Sequence, residues 1–122
     1  MPKKILLVDD SSTVLMMERM ILAAESYELC TASNGKQAVE RAKIERPDLI
    51  LMDVVMPLMD GVEACKAIRA DDATREIPII MVTTRGEPHN VESGYELGCN
   101  DYVTKPINGP ELLSKVRNLL GE

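Results

Sequence analysis

The feature that most constrains the fold is the uninterrupted apolar run Leu49–Met52, which ends at the carboxylate of Asp53. A turn-forming stretch that contains Met56-Pro57 and Asp60-Gly61 follows it. A run this apolar predicts a strand that is buried on both faces of a parallel sheet. Because such sheets present functional groups at the carboxyl ends of their strands, the pattern predicts that Asp53 lies at a functional edge.

Strand-like runs alternate with helical periodicity five times along the chain. The strands are predicted at residues 3–9, 27–32, 48–53, 77–82 and 101–104. This order predicts an α/β protein of the (βα)5 type, a doubly wound five-stranded parallel sheet with right-handed crossovers. A chain of 122 residues is expected to form one domain, spanning residues 1–122, with a core of its own.

The helical segments differ in how clearly the sequence defines them. The first begins at Ser11-Ser12, and its apolar face is predicted to consist of Val14, Met17, Ile21 and Ala24. The fourth, at residues 89–97, is the least certain helix because it contains a glycine. The last begins at Asn108 with Pro110 in its first turn, a favourable place for proline.

Three other predicted strands also end in polar groups. Asp9-Asp10 follow the first strand, Thr83 follows the fourth, and Lys105-Pro106 follow the fifth. Taken singly, each group has an ordinary explanation as a solvated strand end or a helix cap. In a parallel sheet, however, all of them meet at one edge, which would gather three acids, a hydroxyl and an ammonium.

The net charge limits the class of binding partner, and the cysteines indicate the cellular compartment. A net charge of −6 argues against non-specific binding of nucleic acid or of an anionic membrane surface, and acidic clusters suit a divalent cation or a basic protein patch. The sequence has no signal-peptide pattern and no apolar stretch near 18 residues. Cys30, Cys65 and Cys99 form no C-x-x-C motif, so we expect reduced thiols and a cytoplasmic location.

In sequence order, these residues resemble the receiver domain of response regulators in two-component signalling, over nearly the whole chain. The matching pieces are Asp9-Asp10, Asp53 with the stretch 56–61, Thr83, Tyr102 and Lys105-Pro106. The resemblance implies the flavodoxin-like strand order 2-1-3-4-5. It also implies that Asp53 accepts a phosphoryl group from a histidine kinase or a phosphotransfer protein.

The resemblance further implies a Mg²⁺ cofactor and a set of phosphoryl-binding groups. Asp10, Asp53 and the backbone carbonyl of Val55 would bind the ion directly, and Asp9 would act through water. Lys105 and the Thr83 hydroxyl would each contact a phosphoryl oxygen. The Lys105–Pro106 peptide bond is expected to be cis.

A switch is implied by the same resemblance. Thr83 would move toward the phosphoryl group and the Tyr102 ring would turn inward, which would change the face of the fourth helix, the fifth strand and the fifth helix. A downstream protein would bind that face. The chain would assist its own phosphorylation and dephosphorylation without being a turnover enzyme.

Two alternatives belong to other functional classes. One is a Mg²⁺-dependent hydrolase with an aspartyl intermediate, for which 122 residues leave little room. The other is a docking module that keeps the fold but no longer needs phosphorylation. Turnover of a phosphate ester, compared with single labelling of Asp53, separates the hydrolase from the phosphoacceptor.

Overall fold

The computed structural model describes residues 2–84 and 98–122, with backbone only at Thr84. Its five strands form one parallel sheet in the order β2-β1-β3-β4-β5, which confirms the predicted fold class and strand order. The strands are β1 (Lys4–Val8), β2 (Glu28–Ala32), β3 (Leu49–Asp53), β4 (Ile79–Thr84) and β5 (Asp101–Lys105).

The described helices lie between or after these strands, and each begins at a capping side chain. They are α1 (Ser12–Leu22), α2 (Gly35–Glu45), α3 (Gly61–Ala70) and α4 (Gly109–Leu120). Their first turns are capped by the side chains of Ser11, Asn34, Asp60 and Asn108, each of which accepts a hydrogen bond from a backbone N–H. Such caps satisfy donors that have no partner within the helix.

The core consists of two layers, because alternate residues of a strand point to opposite faces of the sheet. Leu6 belongs to the layer that includes α2 and α3, where Ile68 is fully buried. Leu7 belongs to the layer that includes α1 and α4, where Leu22 and Val116 are buried. Each such side chain contributes about 1.5–3 kcal/mol through burial, so the two layers hold the strand ends at a fixed edge.

Two predicted details were wrong. The apolar face of α1 was predicted to include Met17 and Ala24, yet Met17 is 40% exposed and Ala24 is exposed and follows the end of the helix. The buried residues of α1 are Glu18 and Leu22. Strand β4 runs to Thr84 instead of ending at residue 82. Thr83 and Thr84 extend the strand because they pair in register with Thr104 and Lys105 of β5, and β-branched residues favour strands.

Part of the predicted output face lies outside the described residues. This applies to the fourth predicted helix, residues 89–97.

Among the described helices, none has both the length and the apolar character that crossing a membrane requires.

Candidate functional site

Three carboxylates meet at the carboxyl edge of the sheet. Asp9 and Asp10 follow β1, and Asp53 is the last residue of β3, the strand that pairs with β1. One carboxylate oxygen from each residue lies within 4.8 Å of the others. Asp9 and Asp53 are only 1% and 5% exposed, whereas Asp10 is exposed, so the cluster is a partly buried pocket that opens to solvent on one side.

Lys105 brings positive charge into this cluster from the end of β5. Its Nζ lies 3.0 Å from Asp53 Oδ1 and 3.3 Å from Asp9 Oδ2. The Lys105–Pro106 peptide bond is cis. Lys105 contacts two of the three carboxyl groups of the cluster, so negative charge remains in excess there among the described residues, and a cation would balance it.

The electrostatics of Asp53 are dominated by burial. Burial and the neighbouring charge of Asp9 raise the pKa of Asp53 to about 6, although Lys105 opposes this rise, and Asp10 adds to it. For Lys105, burial lowers the pKa, but contact with Asp53 and Asp9 outweighs burial and raises it. Near neutral pH, Asp53 is therefore mainly ionised and Lys105 is charged.

The loop after β3 holds Asp53 in place by close backbone packing. Val54 N donates to Val82 O at 3.1 Å, and Gly61 N donates to Val54 O at 2.8 Å. A Cβ at position 61 would lie 2.2 Å from the carbonyl oxygen of Asp53, a distance that no side chain tolerates. Glycine at position 61 is thus required by the path of the chain around Asp53.

Asp9 is fixed by the start of α1. The Ser11 backbone N–H donates to Asp9 Oδ1 at 2.9 Å, while Asp9 N donates to Ala32 O of β2 at 3.1 Å. Because Ser11 also caps α1, the carboxylate and the helix are positioned together.

Thr83 and Tyr102 lie on the two strands at this side of the sheet. Thr83 is 1% exposed and pairs with Thr104 of β5. Tyr102 is half-buried against the core, and Lys115 Nζ of α4 lies 5.2 Å from the centroid of its ring. Lys115 Nζ also donates to the Tyr102 carbonyl at 2.6 Å, which ties β5 to α4.

The structure therefore brings together Asp9, Asp10, Asp53 and Lys105 at measured distances. Val55 lies in the loop two residues after Asp53, and its side chain is 60% exposed. The roles predicted for Val55, Thr83 and Tyr102 stay predictions.

The donor set fits a hard divalent cation. All three residues of the cluster offer carboxylate oxygens, which are the ligands that Mg²⁺ and Ca²⁺ prefer. Their mutual distances, within 4.8 Å, let a single ion contact more than one of them. The excess of negative charge around Lys105 also favours binding of a divalent cation.

One residue beside this site was missed from the sequence. Glu18 of α1 is 1% exposed, and its Oε1 has no hydrogen-bond partner within the described part of the chain. Burial and the charge of Asp9 raise its pKa to about 8, while Lys105 lowers it and Asp53 raises it. The available clue was the spacing, because Val14, Glu18 and Leu22 recur every four residues on one side of a helix.

Comparison with known proteins identifies the family. The family model of the response regulator receiver domain matches residues 5–117 of this sequence. The alkaline phosphatase synthesis transcriptional regulatory protein PhoP of Bacillus subtilis is 39% identical over 120 residues, which cover 98% of this chain and 49% of PhoP. The polar-differentiation response regulator DivK of Brucella anthropi is 35% identical over 125 residues, which cover 100% of this chain and 99% of DivK.

A solved structure of a receiver domain also has the same fold. The receiver domain of a sensor histidine kinase from Pseudomonas aeruginosa, with a magnesium ion coordinated in its active site cleft, matches with a TM-score of 0.91. It is 33% identical, and the match covers 100% of both chains.

The fold, the acidic pocket and these matches define a phosphoacceptor switch, and the chain belongs to the response regulator receiver domain family. It is a receiver domain of two-component signalling, a family in which phosphorylation of an aspartate and Mg²⁺ are typical. Receiver domains are switches and not turnover enzymes. The chain spans about half the length of PhoP and nearly all of DivK.

Proposed function

We propose that Asp53 is the phosphoacceptor and that its donor is a phosphohistidine on a histidine kinase or phosphotransfer protein. The observation that carries this proposal is the position of the Asp53 carboxylate, which is buried at the sheet edge with Lys105 Nζ 3.0 Å away. An ionised Asp53 oxygen attacks phosphorus, the phosphorus–nitrogen bond breaks, and its electron pair returns to the imidazole. Positioning and charge neutralisation are most of what such a transfer requires.

The same pocket is proposed to hold Mg²⁺. Asp10, Asp53 and the Val55 carbonyl would be direct ligands, with Asp9 acting through water. When bound, the ion supplies positive charge that offsets repulsion between the carboxylate and the incoming phosphoryl oxygens.

Lys105 and Thr83 are proposed to hold the transferred group. Lys105 already supplies positive charge beside Asp53, so its ammonium can pair with a phosphoryl oxygen once that oxygen arrives. Thr83, on the strand next to β3, offers a hydroxyl donor to a second oxygen. These groups also let the domain take a phosphoryl group from a small donor and slowly hydrolyse it, which is how it would assist its own phosphorylation and dephosphorylation.

The output is proposed to be a change in a protein-binding face. Movement of Thr83 toward the phosphoryl group would let the Tyr102 ring turn inward, and Lys115 couples that ring to α4. A downstream protein would bind the face formed by residues 89–97, β5 and α4. The net charge of −6 supports a protein partner over nucleic acid or an anionic membrane.

Residues 1–122 would act as one receiver domain, which the family match over residues 5–117 supports. A cytoplasmic location is supported by the family match and by the lack of a disulfide among the cysteines that the structure describes.

Labelling with acetyl phosphate and Mg²⁺ tests the central assignment. The intact mass should rise by one phosphoryl group, EDTA should abolish the rise, and hydroxylamine should remove the label because an acyl phosphate is labile. Asp53→Asn should stay unlabelled, while Asp72→Asn, at an exposed carboxylate outside the site, should label like the wild type. Repeated turnover of acetyl phosphate without accumulation of label would instead favour a hydrolase.

A further inference from the structure

Lys115 of α4 reaches across the open edge of the sheet to the ring of Tyr102. The strand β5 is an edge strand, and Val103 is buried in the layer with α1 and α4, whereas Tyr102 packs against the opposite layer. Lys115 Nζ lies 5.2 Å from the centroid of the Tyr102 ring, within the range of roughly 6 Å for a cation–π contact. A side chain from α4 makes this contact only around the edge of β5, so the ring lies at that edge.

Thr83 and Tyr102 lie on the same face of the sheet. In the register of β4 and β5, Met81 pairs with Tyr102, and Thr83 pairs with Thr104. Met81 and Tyr102 both pack in the layer of α2 and α3, and Thr83 follows Met81 by two residues, so it points to that face as well. A ring that turns from the edge strand toward Thr83 on β4 therefore moves away from the edge and from Lys115.

The ammonium of Lys115 is held by groups that do not belong to the ring. Its Nζ donates to the backbone carbonyl of Tyr102 at 2.6 Å, and it lies 3.5 Å from Asp101 Oδ1 and 4.0 Å from Glu111 Oε2. A turn of the ring leaves these acceptors in place and removes the cation–π contact alone. The contact thus stabilises the outer position of the ring relative to the inward one.

We propose that Lys115 is a positioning residue for the Tyr102 switch: it holds the ring in the outer position and so opposes the change that a phosphoryl group on Asp53 brings about. This inference rests on the proposed function of Thr83 and Tyr102. By linkage, an interaction that stabilises the outer position weakens, by the same factor, the binding of any group that requires the inward one. A cation–π contact at a partly exposed site corresponds to about a two- to fivefold change in that equilibrium.

Four variants separate the cation of Lys115 from its packing and from net charge. Lys115→Met keeps the length of the side chain and removes the cation, while Lys115→Arg keeps a cation that can lie against the ring. Tyr102→Leu removes the ring. Lys66→Met is the matched control, because Lys66 is exposed on α3 and its loss changes the net charge by the same amount.

The first measurement is calorimetric titration of beryllofluoride, a mimic of the phosphoryl group, in saturating Mg²⁺. Lys115→Met should bind beryllofluoride about two- to fivefold more tightly than the wild type, and Lys115→Arg should bind it like the wild type. Lys66→Met should not bind it more tightly, because loss of a positive charge weakens the binding of an anion. In the Tyr102→Leu background, Lys115→Met should bring no tightening, because the ring contact is already absent.

The second measurement is fluorine NMR of the domain labelled with 3-fluorotyrosine, which reports on the ring itself. The Tyr102 signal is identified by its loss in Tyr102→Leu. Beryllofluoride should shift this signal in the wild type, and Lys115→Met should shift it part of the way in the same direction without beryllofluoride. If Lys115→Met does not fold, Lys115→Gln takes its place in both measurements.

The outcomes distinguish this inference from the proposed function. Unchanged or weaker affinity in Lys115→Met, with a wild-type Tyr102 signal that responds to beryllofluoride, would overturn the inference alone and leave the proposed switch standing. Tightening that persists in the Tyr102→Leu background would also overturn it, since the effect would then not pass through the ring. A wild-type Tyr102 signal that ignores bound beryllofluoride would overturn the proposed switch and this inference with it.

Discussion

Lys105 Nζ lies 3.0 Å from Asp53 Oδ1, although the two residues end strands that are separated in the sheet by β4. The contact therefore depends on the parallel alignment of three strands and not on any local turn. It places the only ammonium of the described acidic pocket beside the proposed phosphoacceptor.

The pKa of Asp53 predicts how stability depends on pH in the absence of metal. Burial raises this pKa from 3.8 to about 6, so between these values the folded state binds more protons than the unfolded state. The contribution of Asp53 to the free energy of unfolding should therefore fall as the pH rises through this range, by at most about 3 kcal/mol. Urea unfolding in EDTA, followed by circular dichroism, measures the change.

The matched variants isolate the contribution of Asp53. Asp53→Asn should lose most of the decline in stability between these pH values, whereas Asp72→Asn, whose side chain is 88% exposed, should keep it. An unaltered pH profile in Asp53→Asn would contradict the assigned cause.

Gly61→Ala should destabilise the domain by about 2–4 kcal/mol, because the new Cβ would lie 2.2 Å from the carbonyl oxygen of Asp53. Gly109→Ala is the control, since the nearest atom to its Cβ would be Ile21 Cγ1 at 3.5 Å, an ordinary contact. Chemical denaturation of both variants measures the difference. Equal stabilities would show that the chain around Asp53 shifts readily.

Val55→Asn should shorten the lifetime of the phosphorylated domain. The Val55 side chain is 60% exposed beside the site and has no group that can hold an attacking water, whereas an asparagine amide can orient one. The label on intact protein is followed over time after removal of acetyl phosphate, with Leu58→Asn as a control at an exposed position in the same loop. A lifetime that is unchanged or longer in Val55→Asn would exclude this explanation.

Thr83→Ala should still accept the phosphoryl group but should fail to transmit the change. In the wild type, addition of beryllofluoride should alter amide hydrogen exchange most at residues 83–107, because Thr83 and Lys105 make the differential contacts. Thr83→Ala should lose that alteration, and Thr13→Ala, at an exposed position of α1, should keep it. Changes confined to α1 and α2 would point to a different output face.

The sequence predicted the sheet well for a physical reason. Strands buried on both faces must be apolar throughout, so the runs that end at Asp9 and Asp53 stand out, and parallel pairing then brings their ends together. The boundary of β4 was harder to place, because Thr83 suits either a strand or a loop and only its pairing with Thr104 decides.

The burial of Glu18 could not be predicted from the sequence. Charged side chains on a helix are normally solvated, so the pattern assigned the apolar face of α1 to Met17 and its neighbours. The burial of Glu18 is set by tertiary packing, which is not local in sequence. The contact of Lys115 with the Tyr102 ring could likewise not be predicted from the sequence, because it depends on how α4 packs against β5.

The most direct test of the central claim is chemical mapping of the phosphorylated residue. After labelling with acetyl phosphate and Mg²⁺, reduction with borohydride converts an aspartyl phosphate to homoserine, and peptide mass spectrometry locates the change. The account predicts homoserine at position 53 alone, with none in unlabelled protein. Homoserine at Asp9 or Asp10, or a stable phosphoryl group on a serine, threonine or histidine, would contradict it.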